Sequence, residues 1–234
     1  MCFSTCQNTK PETMNRLTFM QMIKKHSVLI CISLSVSFII IATFVYPGGS
    51  ISDQNSTGFD WTKNFISNLF QIKAVNGVDN PSRVWAIIGM AFHSVGYGVF
   101  FINMAKKMSN RHSSIVLKIV GFTDIIFNFL IATPLHDIMI SISSTLSLVG
   151  LFYITVFTLK TRLHLLKISC IICMLTFYYT LYLYGSGDWG LLAIMQKVSL
   201  ISSILLILGL EYFTQKEDFK QGDQNRQNAR PLQQ

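Results

Sequence analysis

SVLICISLSVSFIIIATFVY, Ser27 to Tyr46, carries no charged residue and only scattered serines and threonines. At about 1.5 Å per residue the run is long enough to cross a hydrocarbon core of about 30 Å. Lys24-Lys25 just before it gives it the outline of a signal peptide. It is too long for one, however, and lacks a small-residue cleavage site ahead of Pro47, so it reads as a retained first span. Pro47-Gly48-Gly49-Ser50 then ends the helix.

Five further apolar blocks follow: Val84 to Met104, Ile115 to Ala132, Ile138 to Leu159, Ile168 to Tyr184 and Leu191 to Tyr212, with Lys118, Asp124, Lys197 and Glu211 as their charged residues. Half of the residues are hydrophobic and 13% are charged, about half the charged fraction of an ordinary soluble domain. The expected fold class is all-α: a polytopic membrane protein, a six-helix transmembrane bundle spanning residues 27–212. Residues 1–26 read as an N-terminal tail. Residues 213–234, rich in Gln, Asp, Asn, Lys and Arg, read as a disordered C-terminal tail.

The net charge of +8 would suit nucleic acid, but the charges sit in short loops rather than along one face, so no nucleic-acid partner is expected. Fourteen Lys and Arg fall in the two tails and in the loops around Lys107 and Arg162. The opposite side has Lys63, Lys73 and Arg83. This bias orients both termini to the cytoplasm, in a plasma or inner membrane. The long Pro47–Arg83 loop, the Pro134 break and the Asp188 turn then share the outer face. Asn55-Ser56-Thr57 is a glycosylation sequon, meaningful only in a secretory host.

Within the long loop, Gly58 to Phe70 places Trp61, Phe65, Ile66, Leu69 and Phe70 at helical spacing, with Asp60, Asn64 and Ser67 opposite. This predicts a short amphipathic helix lying on the bilayer or capping the bundle, its polar face to water. Cys170-Ile171-Ile172-Cys173 has redox spacing but lies mid-span with no second pair, which makes it packing.

Ionisable groups inside spans are costly and are candidates for function. By helical rise Asp124, His93 and Lys197 fall in one layer of the outer half, so Asp124 could pair with His93 first or Lys197 second. Asn128 lies one turn from Asp124. The alternative is a buried polar clasp that fixes helix packing, and Lys197 could also snorkel to the headgroups. Asp137 is placed to cap the fourth span. His93 and His136 are too few for a zinc site, so neither metal nor cofactor is implied.

The order of features resembles a six-span family catalogued as a domain of unknown function, number nine-nine-eight, distantly similar to the Frag/DRAM/Sfk group. Tyr46-Pro47-Gly48, Asn64 to Leu69, Asn80-Pro81 and Pro134-Leu135-His136-Asp137 carry the resemblance. Where that family has an LSDLG-like segment, this chain has Asn68 for the acid and Phe70 for the glycine. The resemblance implies architecture rather than a reaction. A more distant likeness to membrane hydrolases of the alkaline ceramidase type rests on scattered Ser, Asp and His, and the histidines it needs are missing.

The leading expectation is therefore a non-enzymatic membrane protein. It contacts membrane lipids and either binds a lipid or small molecule at the outer leaflet or senses or organises membrane, with Asp60, Trp61, Asn64, His93, Asn128 and Lys197 as binding candidates. The alternative is a lipid hydrolase or transferase using Ser67, Asp124 and His136. A small transporter is a third reading, although no internal repeat supports it. The sequence leaves the oligomeric state open.

Overall fold

A computed structural model describes residues 20–220. It has six long helices: α1 (Ser27–Phe44), α2 (Ser82–Lys107), α3 (Arg111–Leu130), α4 (His136–Thr158), α5 (His164–Ser186) and α6 (Trp189–Phe213). All six are long and apolar enough to span a bilayer, and the protein is an integral, multi-pass, all-α membrane protein. Backbone groups in hydrocarbon must be paired within the segment, which is why the apolar blocks are helices throughout. Side chains such as Leu165, Phe122, Ile201 and Leu175 remain exposed on the bundle and contact lipid.

The helix ends follow local chemistry. Asn110 accepts from the His112 N–H to start α3, and Asp188 accepts from the Leu191 N–H to start α6. Gly187, at φ 77°, closes α5 with its N–H on the Leu183 carbonyl, a conformation open to glycine at little cost. Asp137 is not a cap: α4 begins at His136, and Asp137 lies in the first turn. Its carboxylate still faces the positive end of the helix dipole.

Helices adjacent in sequence pack together, and α6 returns to touch α2 and α1, closing the bundle. The closest approach is between α2 and α3. A Cβ on Gly98 would lie 2.6 Å from the Gly121 carbonyl, and one on Gly121 would lie 2.8 Å from the Gly98 carbonyl. Small residues permit this backbone contact, which drives helix association where lipid removes the hydrophobic incentive.

At the tail end, Lys107 Nζ donates to the carbonyls of Leu210 and Glu211 and to the Thr214 hydroxyl. This satisfies carbonyls left open where α6 stops. His26 Nδ1 and the Tyr212 hydroxyl lie 2.7 Å apart, tying α1 to α6. Of the expected C-terminal tail, residues 216–220 form a helical turn, and Phe219, 2% exposed, joins the core beside Met108 and Leu210. An aromatic ring supplies enough apolar area to dock a segment whose other residues are polar. Residues 221–234, like the N-terminal residues 1–19, lie outside the described part.

The expected amphipathic helix is a five-residue 3₁₀ helix, Ile66–Phe70. Side chains take the backbone groups that an α-helix would need. The Asp60 carboxylate accepts from the Thr62 N–H and hydroxyl. The Asn64 amide oxygen accepts from the Asp60 N–H, and the Asn68 amide oxygen accepts from the Phe65 N–H. With the helical phase lost, the expected division of faces breaks down, although Leu69 and Phe70 stay buried. Asn64 is 0% exposed, whereas Trp61 is 50% exposed.

Candidate functional site

The loop between α1 and α2 folds into a cap over one end of the bundle. Tyr46 starts it: its hydroxyl accepts from the Val75 N–H, and its buried ring sets T-shaped against Phe59. Gly49, at φ 82°, passes so close to the returning chain that an added Cβ would lie 2.3 Å from the Asn76 nitrogen. Three buried asparagines hold the rest. Asn64 Nδ2 donates to the Gly49 carbonyl, and the Asn80 amide reaches the carbonyls of Asn68, Leu69 and Gln71. The Asn68 oxygen receives the Phe65 N–H. Leu69 and Phe70 carry the apolar load, packing with Tyr46, Ala42, Ala86 and Ala132.

Helix α6 pins this cap. The Gln196 side-chain oxygen accepts from the Ile66 N–H at 2.9 Å. Lys197 Nζ donates to the Asn64 carbonyl and to the Ala193 carbonyl one turn back, each at 2.6 Å. The ammonium also stands 6.0 Å from the centre of the Phe59 ring, at the limit of a cation–π contact. Lys197 is thus a fastener between span and cap.

Beneath the cap lies a cavity of about 440 Å³, within the usual range for ligand pockets. Trp61, Ile66, Ser67 and Phe70 roof it, and residues of all six helices wall it. Apolar side chains in the lining include Val36, Ile39 and Ile40 of α1 and Leu200, Ile201 and Ile204 of α6. The same two helices also bring Ser35, Gln196, Lys197 and Ser199, and His93, Asn128, His136, Ser143, Ser144 and Ser147 add further polar groups. The Tyr97 hydroxyl, 2.6 Å from Ser203 Oγ, ties α2 to α6 on the same surface.

Of the nine residues singled out in the sequence, Trp61, Ser67, His93, Asn128, His136 and Lys197 line this cavity. Asp60, Asn64 and Asp124 do not. Asp60 stays in the cap, where the Thr62 hydroxyl, foremost, holds its carboxyl below the usual range. Lys63 lies 3.8 Å away on the surface. Asn64 supplies the carbonyl that receives Lys197.

Asp124 pairs with neither His93 nor Lys197. Its Oδ1 accepts from Ser143 and Ser147 of α4, at 3.1 and 3.3 Å, and its buried Oδ2 has no partner. Depth along a helix fixes only a layer; the neighbouring helix fixes the partner. Helix α3 packs on α2 and α4, so α4 hydroxyls reach the carboxylate and the α6 lysine does not. The His93 ring instead lies against Tyr97, with centroids 4.1 Å apart.

His136 Nδ1 lies 2.8 Å from the Ile131 carbonyl. A carbonyl only accepts, so this nitrogen carries a proton and the ring closes the end of α3. Sequence reasoning missed Gln196, Tyr97, Ser203, Ser143 and Ser147. Ser143 and Ser147 are four residues apart, and that helical spacing was the available signal. No cluster of three or more His, Cys, Asp or Glu suited to a metal occurs among the described residues. Compared with family models, curated proteins and solved structures, the chain matches none.

Proposed function

We propose that this protein binds one lipid-like amphiphile in the capped cavity, from the outer leaflet of a membrane in which both termini face the cytoplasm. The observation that carries this reading is the mixed lining. Val36, Ile39, Ile40, Leu200, Ile201 and Ile204 suit a hydrocarbon chain, while His93, Asn128, Ser144 and Lys197 offer hydrogen bonds to a head. Such a combination is what fixes the orientation of a small ligand in a pocket. The orientation in the membrane rests on the Lys and Arg bias. Kinship with the nine-nine-eight family is part of the same proposal, supported by the order of the loop motifs.

The hydrolase reading has less support. Ser67 and His136 share the cavity, but the His136 Nδ1–H is directed at a backbone carbonyl. Asp124 stands behind the cavity wall, engaged by Ser143 and Ser147, and has no hydrogen bond with His136. A nucleophile and base need an orienting acid in contact with the base, and Asp124 does not supply it.

Thermal unfolding in detergent tests binding. An amphiphile that enters the cavity should raise Tm saturably, by the logarithm of its concentration over its dissociation constant. Ser144→Trp, which fills the cavity from α4, should remove most of that rise. A rise that never saturates, or that is the same in the variant, would count against the proposal.

A further inference from the structure

The cavity has a sign. Histidines and the Tyr97 phenol aside, Lys197 is the only ionisable side chain in its lining, which contains no Asp or Glu; Asp124 stands behind the wall on Ser143 and Ser147. Lys197 is 8% exposed, and its two hydrogen-bond acceptors are neutral carbonyls. An ammonium has three N–H donors, so one remains, on a group that faces the cavity. The nearest carboxylate of the cap, Asp60, is engaged by Thr62 and Lys63. A buried charge whose hydrogen bonds go only to neutral carbonyls, with the Asp60 carboxylate acting on it from a distance, gains from a counter-charge brought by a ligand.

The cavity also has a mouth. Val36 and Ile40 of α1 and Ile201 of α6 line it and are at the same time exposed on the bundle. The two helices are joined at the tail end through His26 and Tyr212 and touch sparsely elsewhere. The cavity therefore reaches the lipid-facing surface between α1 and α6, past the apolar side chains Val36, Ile40 and Ile201.

We infer that the ligand is an anionic single-chain amphiphile whose headgroup sits at Lys197 under the cap and whose chain lies along the α1–α6 seam. This rests on the amphiphile-binding reading above and adds the charge of the head and the route of entry. The shared chemistry is an anionic oxygen cluster, carboxylate or phosphate, next to a hydrocarbon chain.

The test uses the full chain with Trp85→Phe and Trp189→Phe, which leaves Trp61 of the cavity roof as the sole tryptophan. A doxyl-labelled stearic acid, presented near neutral pH so that the Lys197 ammonium keeps its proton, should quench Trp61 saturably. Its neutral methyl ester should bind roughly tenfold more weakly or worse, the loss expected when a charge-assisted bond is removed. Lys197→Gln keeps an N–H for the Asn64 carbonyl and lacks the charge, so it should abolish the preference for acid over ester. Lys197→Arg should retain it. Competition by unlabelled oleate or by oleoyl lysophosphatidate tells a carboxylate head from a phosphate head. Equal, saturable binding of acid and ester by the parent would overturn the inference and leave amphiphile binding intact. A preference unchanged in Lys197→Gln would overturn the assignment to Lys197. No saturable quenching by either probe would remove both readings.

Discussion

Asp124 shows what a single buried carboxylate does here. Its Oδ1 gathers two hydroxyls from α4, and this bond set joins α3 to α4 behind the cavity wall. Asp124→Asn keeps an acceptor and should change Tm little. Asp124→Leu leaves Ser143 and Ser147 without it, a loss of about 1–3 kcal/mol, or several degrees in Tm for a chain of this size. Thermal scans of both variants in one detergent check this, and equal values would remove the clasp. Asn80 makes the same kind of argument in the cap. Its amide spans three carbonyls and its oxygen receives the Ser82 N–H, so Asn80→Leu should make the cap susceptible to protease while the spans stay intact. The expense of Asp124 in an apolar block was legible in the sequence. Its partners were not, because spacing within α3 says nothing about which helix lies opposite.

At the scale of elements, the spans were legible and the cap was not. Long apolar runs with few charges, bounded by Pro47, Pro81, Pro134 and Gly187, dictate helices almost regardless of context, since lipid leaves the backbone no other partner. The segment Gly58 to Phe70 lies in a different regime. Its apolar spacing favoured an α-helix, but Asp60, Asn64 and Asn68 each capture a backbone N–H locally, and the periodicity was overruled. The cap then depends on α6. Gln196→Leu removes the acceptor for the Ile66 N–H. It should loosen the cap by about 1–3 kcal/mol, seen as faster amide exchange over residues 60–70 with unchanged exchange in α2. Between α2 and α3 the contact is backbone on backbone, so Gly121→Val, placed against Gly98, should lower the folded yield far more than Gly185→Val, which has open space around it.

The described residues form a ring of six helices with a capped cavity lined by apolar and polar side chains. The sequence led to the ring through its six apolar blocks and to six of its nine site candidates in the cavity lining, of which His93, Asn128 and Lys197 came from the cost of polar groups near lipid. It did not lead to the cavity, because a void is a property of how helices rotate against one another, and composition is silent about rotation. The central claim is that this void holds one amphiphile. Native mass spectrometry of the protein, extracted gently from membranes, measures it most directly. The account predicts a single retained lipid-sized mass on the parent, and a bare chain for folded Ser144→Trp. An empty parent, or the same retained mass on both proteins, would contradict it.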